Sequence, residues 1–307
     1  MTTSATPDLS ALKAALAHLE LSDNPRVVRA KSRDFFWYSP VLKQRMDHLS
    51  ADFVIAPRSE SELIEILRLC HQHDCPVSVR GAGTGNYGQI IPLQGGAVLD
   101  MRHFNAVTHI GPGRVVAQAG CILKDIDTAC ATSGQELRMF PSTRSQATVG
   151  GFVAGGSGGI GSVRWGMLRD LGNVLRLRVV TMEASPRVMD LTGADMDQVI
   201  HAYGTNGVIT EVELPLAPAY DWVDVIVSFD DFARAAVFAD EIAQEDGVLI
   251  KLASVIAAPI PNTYFPRLAG RIPTNHSMVA LMVAPHAMPA FLTFMRRHPG
   301  QIVWLSD

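Results

Sequence analysis

Apolar residues recur at helical spacing near the start of the chain, where Leu9, Leu12, Leu16 and Leu19 predict a short helix that Asn24-Pro25 then interrupts. Ser59-Glu60-Ser61-Glu62 forms a capping box ahead of Leu63, Ile66, Leu67 and Cys70, which share one face of a second helix. Pro76-Val77-Ser78-Val79-Arg80 reads as a short strand running into a glycine-dense turn, and Ala97-Val98-Leu99-Asp100 reads as another. This first lobe alternates helix with strand. Val115 to Ala119 predicts a strand, followed by a helix from Lys124 to Ser133 that Gly134 ends by adopting positive φ. Val174 to Thr181 and Gly207 to Leu216 alternate like half-buried strands, so the second lobe is mostly sheet, and Pro215 and Pro218 mark its end. The tail predicts strand (223–227), helix (232–243), strand (248–255), strand (278–284), helix (287–297) and strand (302–305), the order of a split β-α-β unit. The sequence stops right after that last strand, so the tail is either a compact small domain or part of a larger one.

Composition narrows the class. Of 307 residues, 48% are hydrophobic and 18% charged, enough for a large core and room for two domains. A net charge of −4, mixed along the chain, offers no broad basic face for nucleic acid, so any bound anion must be held locally. No apolar run approaches the roughly 18 residues of a membrane span. The opening M-T-T-S-A-T-P-D-L-S lacks the basic and apolar blocks of a secretory signal, and the default location is cytoplasmic. Cys70, Cys75, Cys121 and Cys130 are too few for a disulfide framework and read as reduced thiols.

The first glycine segment, Arg80-Gly81-Ala82-Gly83-Thr84-Gly85-Asn86-Tyr87-Gly88, contains Gly83-x-Gly85-x-x-Gly88 and so nominally satisfies the dinucleotide fingerprint. That fingerprint works only when a helix starts at the loop and its free N–H groups and dipole hold the pyrophosphate. Here Gln89 to Gly96 follow and lead directly into the next strand. Pro92 lacks an amide hydrogen and Gly95-Gly96 are poor helix residues, so no crossover helix can be built. Two readings remain: a loop of successive backbone N–H groups that curls around phosphate oxygens, or an ordinary glycine turn between strands.

A second cluster, Thr148 to Gly161, has seven glycines in fourteen positions. A flexible linker is one reading. Val149, Phe152, Val153 and Ile160 between the glycines, with Pro141-Ser142 before and Trp165-Gly166 after, favour ordered backbone packed against a flat ligand. A flavin needs both a pyrophosphate cradle and backbone approach to its ring, and two separated glycine segments meet that need.

With these segments in place the chain resembles the p-cresol methylhydroxylase and vanillyl-alcohol oxidase family of FAD-binding (PCMH-type) domains, particularly its D-lactate and glycolate dehydrogenase-like branch of FAD-linked oxidases. The resemblance rests on A-D-F-V-I-A-P-R-S-E-S-E-L, P-V-S-V-R-G-A-G-T-G-N-Y-G, G-G-A-V-L-D-M, A-T-V-G-G-F-V-A-G-G-S-G-G and Y-G-T-N-G-V-I-T-E-V-E-L-P-L, in family order over about residues 51–218. It implies an α+β fold: a helical segment at 1–50, a two-lobed FAD-binding domain at 51–218, and a smaller split β-α-β-like cap portion at 219–307 for the substrate. It implies that Arg80, Gly81, Ala82, Gly83, Thr84, Gly85, Asn86, Gly88 and Gln89 bind the FAD pyrophosphate. Pro141, Ser142, Thr143 and Ser145, with Thr148, Val149, Gly150, Gly151, Ala154, Gly155, Gly156, Gly158, Gly159 and Ile160, would line the ribityl chain and ring. Gly207, Val208 and Ile209 would approach the adenine end through their backbone, although plain sheet core explains their alternation equally well. Covalent members of the family attach the flavin through a histidine in the first loop, where this chain has Thr84 and Asn86, so the FAD is expected to be non-covalent. The implied activity is hydride transfer from a 2-hydroxy acid or alcohol to flavin N5, with electrons passing to an unidentified acceptor. The resemblance implies that relatives continue well beyond the present C-terminus, and that their catalytic base, with any metal-binding histidines, lies in that later half. Two alternatives stay open: an FAD-binding subunit that needs a partner or a further C-terminal region, and an NADPH-dependent reductase on the same architecture. A homo-oligomer is equally compatible.

Other constellations carry less. Cys70-His71-Gln72-His73-Asp74-Cys75 has metal-ligand residue types, but Cys70 belongs to the apolar helical face while His71 and His73 point elsewhere, so no metal site is expected. Arg138, Arg144 and Arg164 flank the glycine segments and suit either a substrate carboxylate or a charged surface. His103 and His109 are read as ordinary loop residues. The rings of Phe35-Phe36-Trp37-Tyr38 are read as packing anchors.

Overall fold

A computed structural model describes residues 9–156 and 158–306; the start of the expected N-terminal segment (1–8), Ser157 of the second glycine cluster and Asp307 lie outside them. The chain divides into two compact units, Met1–Ser157 with Met167–Ala217, and Gly158–Gly166 with Pro218–Asp307.

The first lobe of the first unit opens with α1 (Ser10–Ala15), whose Leu12 is buried along with flanking Leu9 and Leu16. The helix is shorter than the leucine spacing predicts, because the chain turns into β1 (Leu21–Ser22), which pairs antiparallel with β2 (Phe53–Ile55). Asn24-Pro25, read from sequence as a break, instead starts α2 (Pro25–Lys31). Proline is tolerated at the first helical position, where its missing N–H is not needed, and the Asn24 side chain accepts the Arg26 amide. Ser39-Pro40 starts α3 (Pro40–Met46) in the same way. In α4 (Glu60–Gln72) the Ser59 hydroxyl accepts from the Glu62 amide at 3.2 Å and the Glu62 carboxylate reaches back to the Arg58 amide at 2.8 Å. Leu63, Ile66, Leu67 and Cys70 of α4 pack on Phe53, Ile55 and Leu99 of the sheet. β3 (Val77–Arg80) and β2 both pair parallel with β4 (Ala97–Asp100), so β2, α4 and β3 form a crossover with β4 between the strands.

The second lobe contains β5 (Val107–Gly111), β6 (Arg114–Gln118), α5 (Leu123–Ala131), β7 (Gln135–Leu137) and α6 (Val149–Gly155). After α7 (Ser162–Trp165), which belongs to the other unit, it resumes with β8 (Arg176–Val180), β9 (Val188–Leu191) and β10 (Val208–Pro218). Gly134 ends the α5 segment with φ +68°, as its position after the helix predicts. The sheet runs β5-β6-β10-β8-β9, with β7 also paired to β10. Val180 and Val208 join the core of the first lobe, so the two sheets of this unit share apolar packing.

The second unit carries β11 (Val223–Phe229), α8 (Phe232–Gln244), β12 (Ile250–Ile256), α9 (Ile260–Tyr264), β13 (Ser277–Val283), α10 (Met288–Met295) and β14 (Gln301–Leu305). Its antiparallel sheet has the order β12-β13-β11-β14. β11 and β12 therefore run parallel with β13 inserted between them, which is the split β-α-β arrangement expected from the tail. Phe229, Phe238, Phe291 and Phe294 fill the core between this sheet and its helices.

Candidate functional site

The connection from β3 to β4 contains no helix, as the proline and paired glycines require. Gly83 and Gly88 take φ of +70° and +79°, and the carbonyl of Gly85 accepts the Phe35 amide at 2.8 Å. Among the described residues, the amides of Ala82, Gly83, Thr84, Gly85 and Asn86 have no protein acceptor. Five successive uncommitted N–H groups on a half-exposed loop are the kind of donor run that can cradle an anion through dipoles. The Arg80 side chain is committed to backbone carbonyls. It is 9% exposed, and its guanidinium donates to the carbonyls of Lys31 (2.9 Å), Arg33 (2.6 Å) and Ala82 (3.1 Å). Burial pulls its pKa down, against the charges of Asp100 and Asp34.

The second cluster is ordered backbone, in a form that its sequence reading left open: Val149–Gly155 is the helix α6, capped by Thr148, whose hydroxyl accepts the Gly151 amide at 3.2 Å. Glycine disfavours helix by about 1 kcal/mol per residue, but here close packing demands it, since a Cβ on Gly150 would lie 2.6 Å from the Ala119 Cβ. The first-turn amides are already used, with Val149 donating to Cys121 and Gly150 to Ala119. This helix end therefore offers a ligand its Cα surface rather than free donors. Gly156 caps α6 at φ +60°. Just before it, the carbonyls of Val153 and Ala154 accept the amides of His201 and Tyr203, which sit at φ +63° and +53°. Backbone strain at two such residues, with their side chains hydrogen-bonded at 2.8 Å, marks a place sequence spacing did not single out.

The two glycine segments meet. A Cβ on Gly81 would come within 2.2 Å of the Thr148 hydroxyl oxygen. A cleft of about 370 Å³ opens there, lined by Gly81, Ala82, Gly120 and Thr148 together with Lys31, Asp100, Arg102 and Asp125. Lys31 pairs with Asp100 at 2.7 Å and Arg102 approaches the same carboxylate at 3.5 Å, so the charges along the wall nearly cancel.

The remaining expected residues fall in different places. Pro141 to Ser145 form a turn in which the amides and hydroxyls of Ser142, Thr143 and Ser145 have no protein partner among the described residues. Val208 and Ile209 are 2% and 5% exposed in the sheet opposite Val180 and Val179, and Gly207 adopts φ +120° against Val179. Gly158, Gly159 and Ile160 belong to the second unit, where the Gly159 amide donates to the Ser162 hydroxyl at 2.8 Å. Arg144 is paired with Asp127 at 2.8 Å, Arg138 donates to the Leu216 and Gly172 carbonyls, and Arg164 lies over the Trp165 ring. His103 bonds Glu20 at 2.8 Å. Of the aromatic stretch, Phe36 is fully buried, whereas Trp37 and Tyr38 are 43% and 66% exposed, so the reading of these rings as packing anchors fails for the latter two. The carboxylate next to them, Asp34, is 5% exposed and accepts the Gly88 amide at 3.0 Å, a contact that no local pattern announced.

Residues 51–189 match the family described as FAD binding domain. The chain is 32% identical over 176 residues to the glycolate oxidase subunit GlcD of Bacillus subtilis, covering 54% of this chain and 37% of that protein. It is 32% identical over 185 residues to the mitochondrial D-2-hydroxyglutarate dehydrogenase of Bos taurus (57% and 34%), and 29% identical over 175 residues to the D-lactate dehydrogenase of Archaeoglobus fulgidus (54% and 38%). The chain thus spans between about a third and two fifths of the length of these relatives. Its fold is similar to that of alkyldihydroxyacetonephosphate synthase, with a TM-score of 0.79 at 15% identity, covering 100% of this chain and 63% of that one. The dipole-lined loop and the glycine helix beside it suit the cofactor the family is named for. Residues 51–189 belong to the PCMH-type FAD-binding domain family, in its D-lactate and glycolate oxidase-like branch, and FAD is the cofactor of this domain.

Proposed function

We propose that this chain is the cofactor-holding part of an FAD-linked oxidoreductase acting on a small 2-hydroxy acid or alcohol. One observation carries the reading: the five uncommitted amides from Ala82 to Asn86 stand beside Gly81, which touches the cap of a glycine-lined helix. On this reading those amides hold the pyrophosphate. Ser142, Thr143 and Ser145 add donors, and the glycine face of α6, with Gly150, Gly151 and Gly155, lets backbone approach the ribityl chain and ring. Thr84 and Asn86 stand where covalent members of the family carry a histidine, and on this reading the cofactor is held without a covalent bond. When bound, FAD supplies a ring that takes a hydride at N5 from the carbon bearing the substrate hydroxyl. The relatives named for glycolate, D-lactate and D-2-hydroxyglutarate support a 2-hydroxy acid as the substrate class. The B. subtilis relative is named as a subunit, and a partner chain or further segment supplying the acid-base group belongs to the same proposal, as do a separate electron acceptor and a cytoplasmic location. No described helix is long and apolar enough to cross a membrane.

An absorption spectrum of the purified protein, followed by anaerobic addition of glycolate, D-lactate and D-2-hydroxyglutarate, tests cofactor and substrate together. Flavin bands that bleach with one of these acids support the proposal. Bands that none of the acids bleaches, even with a partner subunit added, overturn the substrate class, and a colourless protein whose melting FAD leaves unchanged overturns the cofactor.

A further inference from the structure

We propose that Asp34 is a positioning residue for FAD: with the buried guanidinium of Arg80 it holds the loop from Gly81 to Gly88 in the shape whose amides converge on the pyrophosphate. The inference rests on the FAD reading above. Four glycines lie between residues 81 and 88, and a free loop of that composition has many conformations to lose on binding. Residues 31 to 36 remove that freedom at three points. At the start, Arg80 ties the Lys31 and Arg33 carbonyls to that of Ala82. In the middle, the Phe35 amide donates to the Gly85 carbonyl at 2.8 Å. At the end, the Asp34 carboxylate accepts the Gly88 amide at 3.0 Å through one oxygen and the Phe36 amide at 2.9 Å through the other. The glycines fit this clamp closely. A Cβ on Gly83 would lie 2.3 Å from the Arg80 guanidinium, and one on Gly85 would lie 3.3 Å from the Asp34 carboxylate. Asp34 directs its oxygens at amides that the cradle does not use, so Ala82 to Asn86 are left for the ligand. A buried carboxylate close to an anion site is otherwise unfavourable, and Arg80 offsets it.

The test compares FAD dissociation constants, read by quenching of flavin fluorescence, for the full chain and for Asp34→Asn, Asp34→Glu and Asp52→Asn. Asp52 accepts the Gly96 amide at 2.6 Å, the same kind of bond at the far end of the same connection and away from the free amides. We expect FAD affinity to fall at least about tenfold in Asp34→Asn, to recover in part in Asp34→Glu, and to stay at the wild-type value in Asp52→Asn. Hydrogen exchange on wild-type protein supplies a reading that needs no variant: the Gly88 amide is expected to be protected before FAD is added. Wild-type affinity in Asp34→Asn, equal losses in Asp34→Asn and Asp52→Asn, or a Gly88 amide protected only after FAD binds would each overturn the proposal. Absence of FAD binding by the wild-type chain removes the cofactor reading and this one together.

Discussion

The Thr148 hydroxyl stands where any side chain larger than hydrogen at position 81 would have to go, and that single contact joins the two halves of the candidate site. Gly81→Ala is expected to cost about 1–3 kcal/mol, the usual range for overpacking. Thr148→Ala loses a helix cap worth about 1 kcal/mol, yet it also vacates the colliding oxygen. The double variant is therefore expected to be less destabilised than the sum of the singles, and chemical denaturation of all four proteins measures the coupling. Asp34 makes a second prediction. Burial holds its carboxyl above the ordinary value, outweighing the donors Phe36, Gly88 and Gln89 and the charge of Arg80. The folded chain thus keeps that proton to higher pH than the unfolded chain, so above about pH 4 it binds more protons and stability falls as pH rises through the folded pKa. Urea melts across that window should show this component in the wild type and not in Asp34→Asn. Gly83 and Gly88 were legible in the sequence because local backbone shape, with φ of +70° and +79°, requires glycine there. Asp34 was not, because its partner Gly88 is 54 positions away.

Among the elements, α6 shows local propensity giving way to packing. Helix propensity alone favours Gly150→Ala by about 1 kcal/mol, but the new Cβ would also meet the Ala119 carbonyl oxygen at 2.9 Å, and backbone cannot step aside cheaply. Gly150→Ala is expected to lower stability by about 1–3 kcal/mol. Gly155→Ala meets nothing within 4 Å and is expected to raise it by about 0.5–1 kcal/mol. Thermal melts of the cofactor-free protein check both signs. If the flavin ring rests on this face, the stabilised Gly155→Ala protein will nonetheless load less FAD, which the ratio of flavin to protein absorbance reports. Helices α2 and α3 escaped the sequence reading for the opposite reason: their initiating prolines look like breaks until the N-cap side chains before them are taken into account. The capped helix α4, by contrast, was legible from its box and its apolar face.

At the scale of the molecule, each unit has its own core. In the second unit Phe238 is completely buried, with ring centroids 5.1 Å from Phe229 and 5.5 Å from Phe294. Phe238→Ala is expected to cost about 3–5 kcal/mol and to accelerate hydrogen exchange in β11, β12 and β13, while amides of the parallel strands β2, β3 and β4 keep their wild-type rates. The order of six of the seven elements from β11 to β14, all but α9, could be written down from hydrophobic periodicity alone, because both faces of the pattern are set by residues two or four positions apart. The same holds for the absence of a helix after the first glycine loop, which proline and glycine chemistry dictates wherever the chain goes. Tertiary structure alone decided that Gly81 meets Thr148, that a glycine-rich run becomes a helix, and that Asp34 and Arg80 close on the loop between them. Those outcomes depend on contacts between residues dozens of positions apart, and a linear pattern carries no distance between such residues until the core has brought them together.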